Sequence, residues 1–176
     1  EGGLATQLVD CDTLDLEDPF RIAFLTAWNS SQPLVKNLAD VARIAVPDKT
    51  FHAQVGCADR QREILELAGD RIALAGDMGS ATLAFSVLLR NMNNALVDLI
   101  EEPRLVDAVM DKGVAVVIER GKFLLDNGVN ILRLNDSVAN MSVISPKAWR
   151  RFIGPRFKTI CDELHGYSPE ARIYCH

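Results

Sequence analysis

The chain has 176 residues, 48% hydrophobic and 24% charged, with a formal net charge of -5 and a pI near 5.2. That is enough apolar material for one domain with a core, and the mild acidity argues against a sequence-independent grip on nucleic acid, which needs a net basic face. No run of about 18 apolar residues is present to span a bilayer, and residues 1–30 lack the zones of a signal peptide, so a soluble, cytoplasmic protein without a membrane partner is expected.

Along the chain, "LVDCDTLDLEDPF" (8–20) reads as a solvated, capping-rich loop holding Asp10, Asp12, Asp15, Glu17 and Asp18. Leu34 to Val46 reads as an amphipathic helix stopped by Pro47. Asp59 to Asp70 is a helix that closes at Gly69, after which Arg71 to Gly76 reads as a strand leading into the loop Asp77 to Thr82. The strongest helix signal runs from Pro103 to Asn127, where Val106, Val109, Met110, Val117 and Leu124 recur at helical steps and Gly128 supplies the stop. The apolar run Val129 to Leu134 reads as a buried strand followed by the polar turn Asn135 to Ser137. A further helix, Ser145 to Gly166, starts on a Ser-Pro cap, and Pro155 should divide it after Gly154. It feeds a last strand, "ARIYCH".

Helices alternating with short apolar strands imply an α/β fold with a parallel sheet, whose functional loops lie at the carboxyl ends of the strands. Asp136 stands at one such end and Asp77 at another, each open to a functional or a turn-capping role. Gly79 lies in a loop where backbone can approach a ligand closely. His176 closes the third strand, and one imidazole alone cannot hold a metal. Cys175 does not help it by adjacency, because neighbouring strand residues point to opposite faces. Cys11, Cys57, Cys161 and Cys175 show no C-x-x-C spacing and are expected to be reduced. A chain that opens on Glu and ends on a strand reads as a fragment, a single partial domain over residues 1–176 with a less regular stretch over 1–50.

Three phrases resemble the uroporphyrinogen decarboxylase (URO-D) superfamily of (β/α)8 TIM barrels. "GDMGSATLAF" (76–85) is similar to its glycine-proline-x-threonine loop, with Ser80 in place of the proline. "EEPRLVDAVMDKGVAVVIERGKFLLDNGVNILRLNDSVAN" (101–140) is similar to its helix, strand and acidic loop, and "ISPKAWRRFIGPRF" (144–157) to its I-S-P and late-proline pattern. "LADVARIAVPD" (38–48) is a weaker match to the preceding linker.

The resemblance implies part of a TIM barrel and one of two activities. In the branch of corrinoid-dependent methyltransferases, such as methylcobalamin:coenzyme M methyltransferases, a His-x-Cys motif follows the strand that "RIYCH" resembles. By that likeness His176 would be the first zinc ligand, with the remaining ligands beyond the chain end. A methylcorrinoid, presented by a corrinoid protein, would be the methyl donor and a small-molecule thiol the acceptor. Asp136 and Asp77 are the implied catalytic residues, with Gly79, Thr82, Ser137 and Ser86 as implied substrate contacts. In the decarboxylase branch the substrate is a tetrapyrrole and no cofactor is needed. There Ser86 stands where a tyrosine is expected, and Arg90, Arg133 and Arg156 are candidates for binding carboxylates. A third implied reading is binding of a corrinoid or tetrapyrrole without turnover. The fragment is expected to be inactive alone and to expose strand edges at both ends.

Overall fold

The computed structural model describes residues 15–25 and 32–176. Asp10, Asp12 and Cys11 therefore lie outside the described residues. The rest of the acidic loop does cap: Asp15 Oδ1 accepts the amide of Glu17 at 2.9 Å, and Asp18 accepts that of Phe20 at 2.9 Å to open helix α1 (Pro19–Ala23). Helix α2 (Leu38–Arg43) is shorter than the expected Leu34–Val46. Asn37 and Asp40 form a reciprocal capping box that fixes its start, and Ile44 turns extended (ψ 116°) to end it.

Helix α3 (Lys49–Gln54), capped by Asp48, is followed by α4 (Cys57–Ala68). The next strand departs from expectation. The apolar run Arg71–Gly76 is mostly a 3-10 turn and loop, with Ile72 61% exposed, and strand β1 is instead Ala75–Ser80. Its composition, AGDMGS, carries almost no strand propensity, so pairing with its neighbour and packing of Gly76 and Met78 against a helix decide the outcome. Asp77 accordingly sits on the strand rather than in a loop after it.

Helices α5 (Leu83–Arg90) and α6 (Met92–Glu101) precede α7 (Pro103–Asp126), which occupies the expected span almost residue for residue. Strand β2 (Ile131–Asn135) follows. Ser145 Oγ then accepts the amide of Ala148 at 3.2 Å and caps α8 (Pro146–Ala148). A five-residue π-helical stretch, Trp149–Ile153, separates α8 from α9 (Gly154–Tyr167). That is the division expected at Pro155, whose missing N–H breaks the regular ladder. Strand β3 (Arg172–Cys175) comes last.

The three strands are parallel, in the order β1-β2-β3, and α7 and α9 are the crossovers between them. This is the expected α/β architecture, an open arc of the (β/α)8 kind. Among the described residues β1 and β3 each pair on one side only.

One face of the sheet is apolar. Met78, Leu132 and Leu134 are almost fully buried against Val117 of α7 and Ile160 and Leu164 of α9, each such side chain stabilising by roughly 1.5–3 kcal/mol. Helix α7 lies close because Gly113 has no side chain: a Cβ there would come within 2.0 Å of the carbonyl oxygen of Ala81 and 2.8 Å of the ring of Phe85. Two further clusters anchor the helices to each other, one joining Val41 and Ile44 to Leu89 and Val109, the other joining Val87 and Met110 to Ile144 and Phe152.

Candidate functional site

Side chains alternate along a strand, so burying Leu132 and Leu134 turns Arg133 and Asn135 to the other face. Register places Asp77, Arg133 and Tyr174 side by side across the three strands. Arg133 Nη1 donates to Asp77 Oδ2 at 2.7 Å, and its Nη2 lies 3.4 Å from His176 Nδ1. A polar row, Asp77–Arg133–His176, thus crosses the face away from the helices, toward the carboxyl ends where parallel-sheet enzymes keep their chemistry. The ion pair is part-exposed, with side-chain accessibilities of 30% for Arg133 and 45% for Asp77. At that exposure it contributes at most about 1 kcal/mol to stability.

Asp77 also shapes the backbone. Its Oδ1 accepts the amide of Gly79 at 2.7 Å, across an irregularity in the ladder between Asp77 and Gly79. Gly79 has φ +91°, and a Cβ there would meet nothing within 4 Å, so glycine is required by the backbone conformation and not by crowding.

Asp136 is buried, 4% exposed. Its Oδ2 accepts the Thr82 amide at 3.0 Å and the Thr82 hydroxyl, and its Oδ1 accepts the Ala84 amide at 2.7 Å. These are the otherwise unpartnered donors at the start of α5, and no side chain of the preceding segment caps that helix. Burial pushes the Asp136 carboxyl above the usual carboxylate range, and the hydrogen bonds oppose that shift. Its own amide donates to the His176 carbonyl at 3.0 Å. One residue therefore ties the ends of all three strands together, holding the β1 loop with its side chain and the end of β3 with its backbone.

The other expected contacts fall in different places. Thr82 is fully buried and spent on Asp136. Ser137 is exposed, its carbonyl accepting Asn140 Nδ2 at 2.7 Å. Ser86 is 2% exposed inside α5, and its hydroxyl has no hydrogen-bond partner among the described residues. Two of the three candidate arginines are committed elsewhere. Arg90 makes a bidentate pair with Asp98 at 2.7 and 3.0 Å, and Arg156 pairs with Asp107 and Asp111. Only Arg133 reaches the open face.

The described residues do not make a zinc site. No three His, Cys, Asp or Glu side chains converge among them, and the Nδ1 of His176 faces a guanidinium. Cys57, Cys161 and Cys175 are free thiols, and burial pushes all three above the usual thiol range, which keeps them protonated.

Two residues gave no signal as site candidates. Arg120, on α7, donates to the carbonyl of Ala23 at 3.1 Å, and His52, on α3, is 2% exposed with its Nε2 unpartnered. Each belongs to an ordinary amphipathic helical pattern. Arg133, by contrast, interrupts the apolar run "VNILRL", and a charge inside an otherwise apolar parallel strand is a readable anomaly.

The comparisons with known proteins agree with this architecture. No curated protein sequence matches the chain. Among solved structures, one named "methyltransferase from Methanosarcina mazei" superimposes with a TM-score of 0.64 at 17% sequence identity, covering 84% of this chain and 42% of its own. The chain thus spans less than half of that protein's length, and at such identity the likeness is one of fold. The family model described as "Uroporphyrinogen decarboxylase (URO-D)" matches residues 29–176, and the chain belongs to that family.

Proposed function

We propose that this chain is part of a URO-D family enzyme that transfers a methyl group from a methylated corrinoid to a thiol acceptor. The observation that carries the reading is the polar row Asp77–Arg133–His176 at the strand ends, combined with the commitment of Arg90 and Arg156 to Asp98, Asp107 and Asp111. Tetrapyrrole decarboxylation calls for several arginines facing the substrate's carboxylates, and of the three candidates Arg90, Arg133 and Arg156 only Arg133 reaches the open face, already paired with Asp77. A thiol acceptor needs less: one cation to hold an anionic group, and polar neighbours to orient it.

In the reaction the thiol loses its proton, its sulfur bonds the methyl carbon, and the electron pair of the broken bond stays on the corrinoid donor. Arg133, fixed by Asp77, would hold and orient the acceptor, with Asn135 on the same face. Asp136 would position the loop that carries Gly79 and Thr82. Zinc enters this reading only as the expectation attached to His176, since the described residues do not complete its site.

The test is Arg133→Met and Asp77→Asn in the full-length protein. Because their ion pair adds little stability, thermal midpoints should stay within a few degrees while turnover falls at least tenfold. Unchanged turnover in both variants removes the row from the mechanism.

A further inference from the structure

A cavity of about 280 Å³ lies beside the polar row, between the segment Ile22–Leu25, β1, α5 and α7. Phe85, Leu88 and Val116 give it apolar walls, and Arg120 and His52 give it polar ones, with Asp77 at its border. Arg120 is the unusual member. Among the described residues no carboxylate lies within 4 Å of it, and its one hydrogen bond goes to the Ala23 carbonyl. Asp77, the nearest carboxylate on the wall, is already paired with Arg133 at 2.7 Å. Among the described residues Asp77 is thus the one carboxylate of the lining that opposes Arg120, and it is shared with Arg133, so this part-buried guanidinium lacks an anion of its own, which is costly. His52 adds a second unmet group: its Nε2 is buried and has no hydrogen-bond partner among the described residues.

We propose that this cavity binds a small apolar-bodied monocarboxylate, whose carboxylate Arg120 and His52 hold and whose hydrocarbon part rests on Phe85, Leu88 and Val116. The planar fork of an arginine matches a carboxylate, and a single net charge favours a monoanion over a phosphate dianion. The apolar walls select a ligand with a hydrocarbon body over a bare inorganic ion. Asp77, Gly79 and Asn135 border both this cavity and the proposed acceptor site, but Arg120 and His52, the groups that would hold the carboxylate, have no part in the methyl-transfer reading, so the binding test does not depend on it.

Calorimetric titration of the full-length protein with hexanoate, hexanamide and inorganic phosphate tests it. Hexanoate should bind saturably, at least tenfold more tightly than hexanamide or phosphate. Arg120→Met should weaken hexanoate at least tenfold and His52→Phe about threefold, and the His52 ring resonances should move on binding. The comparison among the three probes needs no variant, so misfolding of Arg120→Met leaves it intact. No hexanoate binding, equal binding of hexanamide, tighter binding of phosphate, or full affinity in a folded Arg120→Met protein would each overturn the proposal.

Discussion

The carboxylate of Asp136 accepts the backbone amide of Ala84 at 2.7 Å, joining the end of β2 to the first turn of a helix 52 positions earlier in the chain. With the amide and hydroxyl of Thr82 also directed at it, Asp136 is the cap of α5 supplied from another strand. Asp136→Ala strands two buried amides and a hydroxyl. A loss of about 2–4 kcal/mol is expected in urea unfolding. A loss under about 0.5 kcal/mol would show that those donors find other partners.

The Arg90–Asp98 pair predicts a larger effect from the same kind of change. Their side chains are 11% and 7% accessible, and Arg90 also donates to the Val35 carbonyl at 2.6 Å. Asp98→Ala leaves a nearly buried guanidinium without its counter-ion, which should cost about 3–5 kcal/mol. Replacing both partners with apolar residues should recover most of that loss, and a double-mutant cycle measures the coupling.

Gly113→Ala adds one methyl group to α7. In an exposed helix it would stabilise by about 1 kcal/mol. Here the new carbon would come within 2.0 Å of the Ala81 carbonyl, a backbone atom that cannot swing aside. Denaturant titration should show destabilisation of at least about 2 kcal/mol, because α7 must lift from the end of β1.

His52 sets a pH dependence. Burial, with Arg120 adding repulsion, lowers its pKa from 6.5 to about 4. The unfolded chain then takes up a proton near pH 6.5 that the folded protein refuses. The contribution of His52 is full above pH 6.5 and is lost as pH falls toward 4, by up to about 3 kcal/mol. The stability of the wild type measured against His52→Phe should fall as pH drops from 7 toward 4, because only the wild type refuses a proton that its unfolded chain takes up. A gap independent of pH would mean that the imidazole ionises freely in the folded state.

The helices α4, α7, α8 and α9 were legible in the sequence because their signals are local, whereas α1, α3, α5 and α6 were not anticipated and α2 is shorter than expected. Pro103, the apolar spacing through Leu124 and Gly128 fix α7, and Ser145 with Pro146 fixes the start of α8. β1 was not, since AGDMGS has neither alternation nor β-branched residues and becomes a strand only through β2 and α7. The same limit applies to the site. Asp136 could be placed at a strand end from its position in the chain, but its bonds to Thr82 and Ala84 join segments that only the fold brings together. The row from Asp77 to His176 depends on register, which a single strand does not encode. Arg120 and His52 share a cavity from two different helices, and neither pattern announces it.

The central claim is thiol-dependent methyl transfer, and it is tested most directly by incubating the full-length protein with methylcobalamin and a panel of small thiols while following loss of the methylated corrinoid and formation of the thioether. Demethylation should depend on the protein, require a thiol and fall at least tenfold in Arg133→Met. Absence of transfer to every thiol, with decarboxylation of uroporphyrinogen by the same folded preparation, would contradict it.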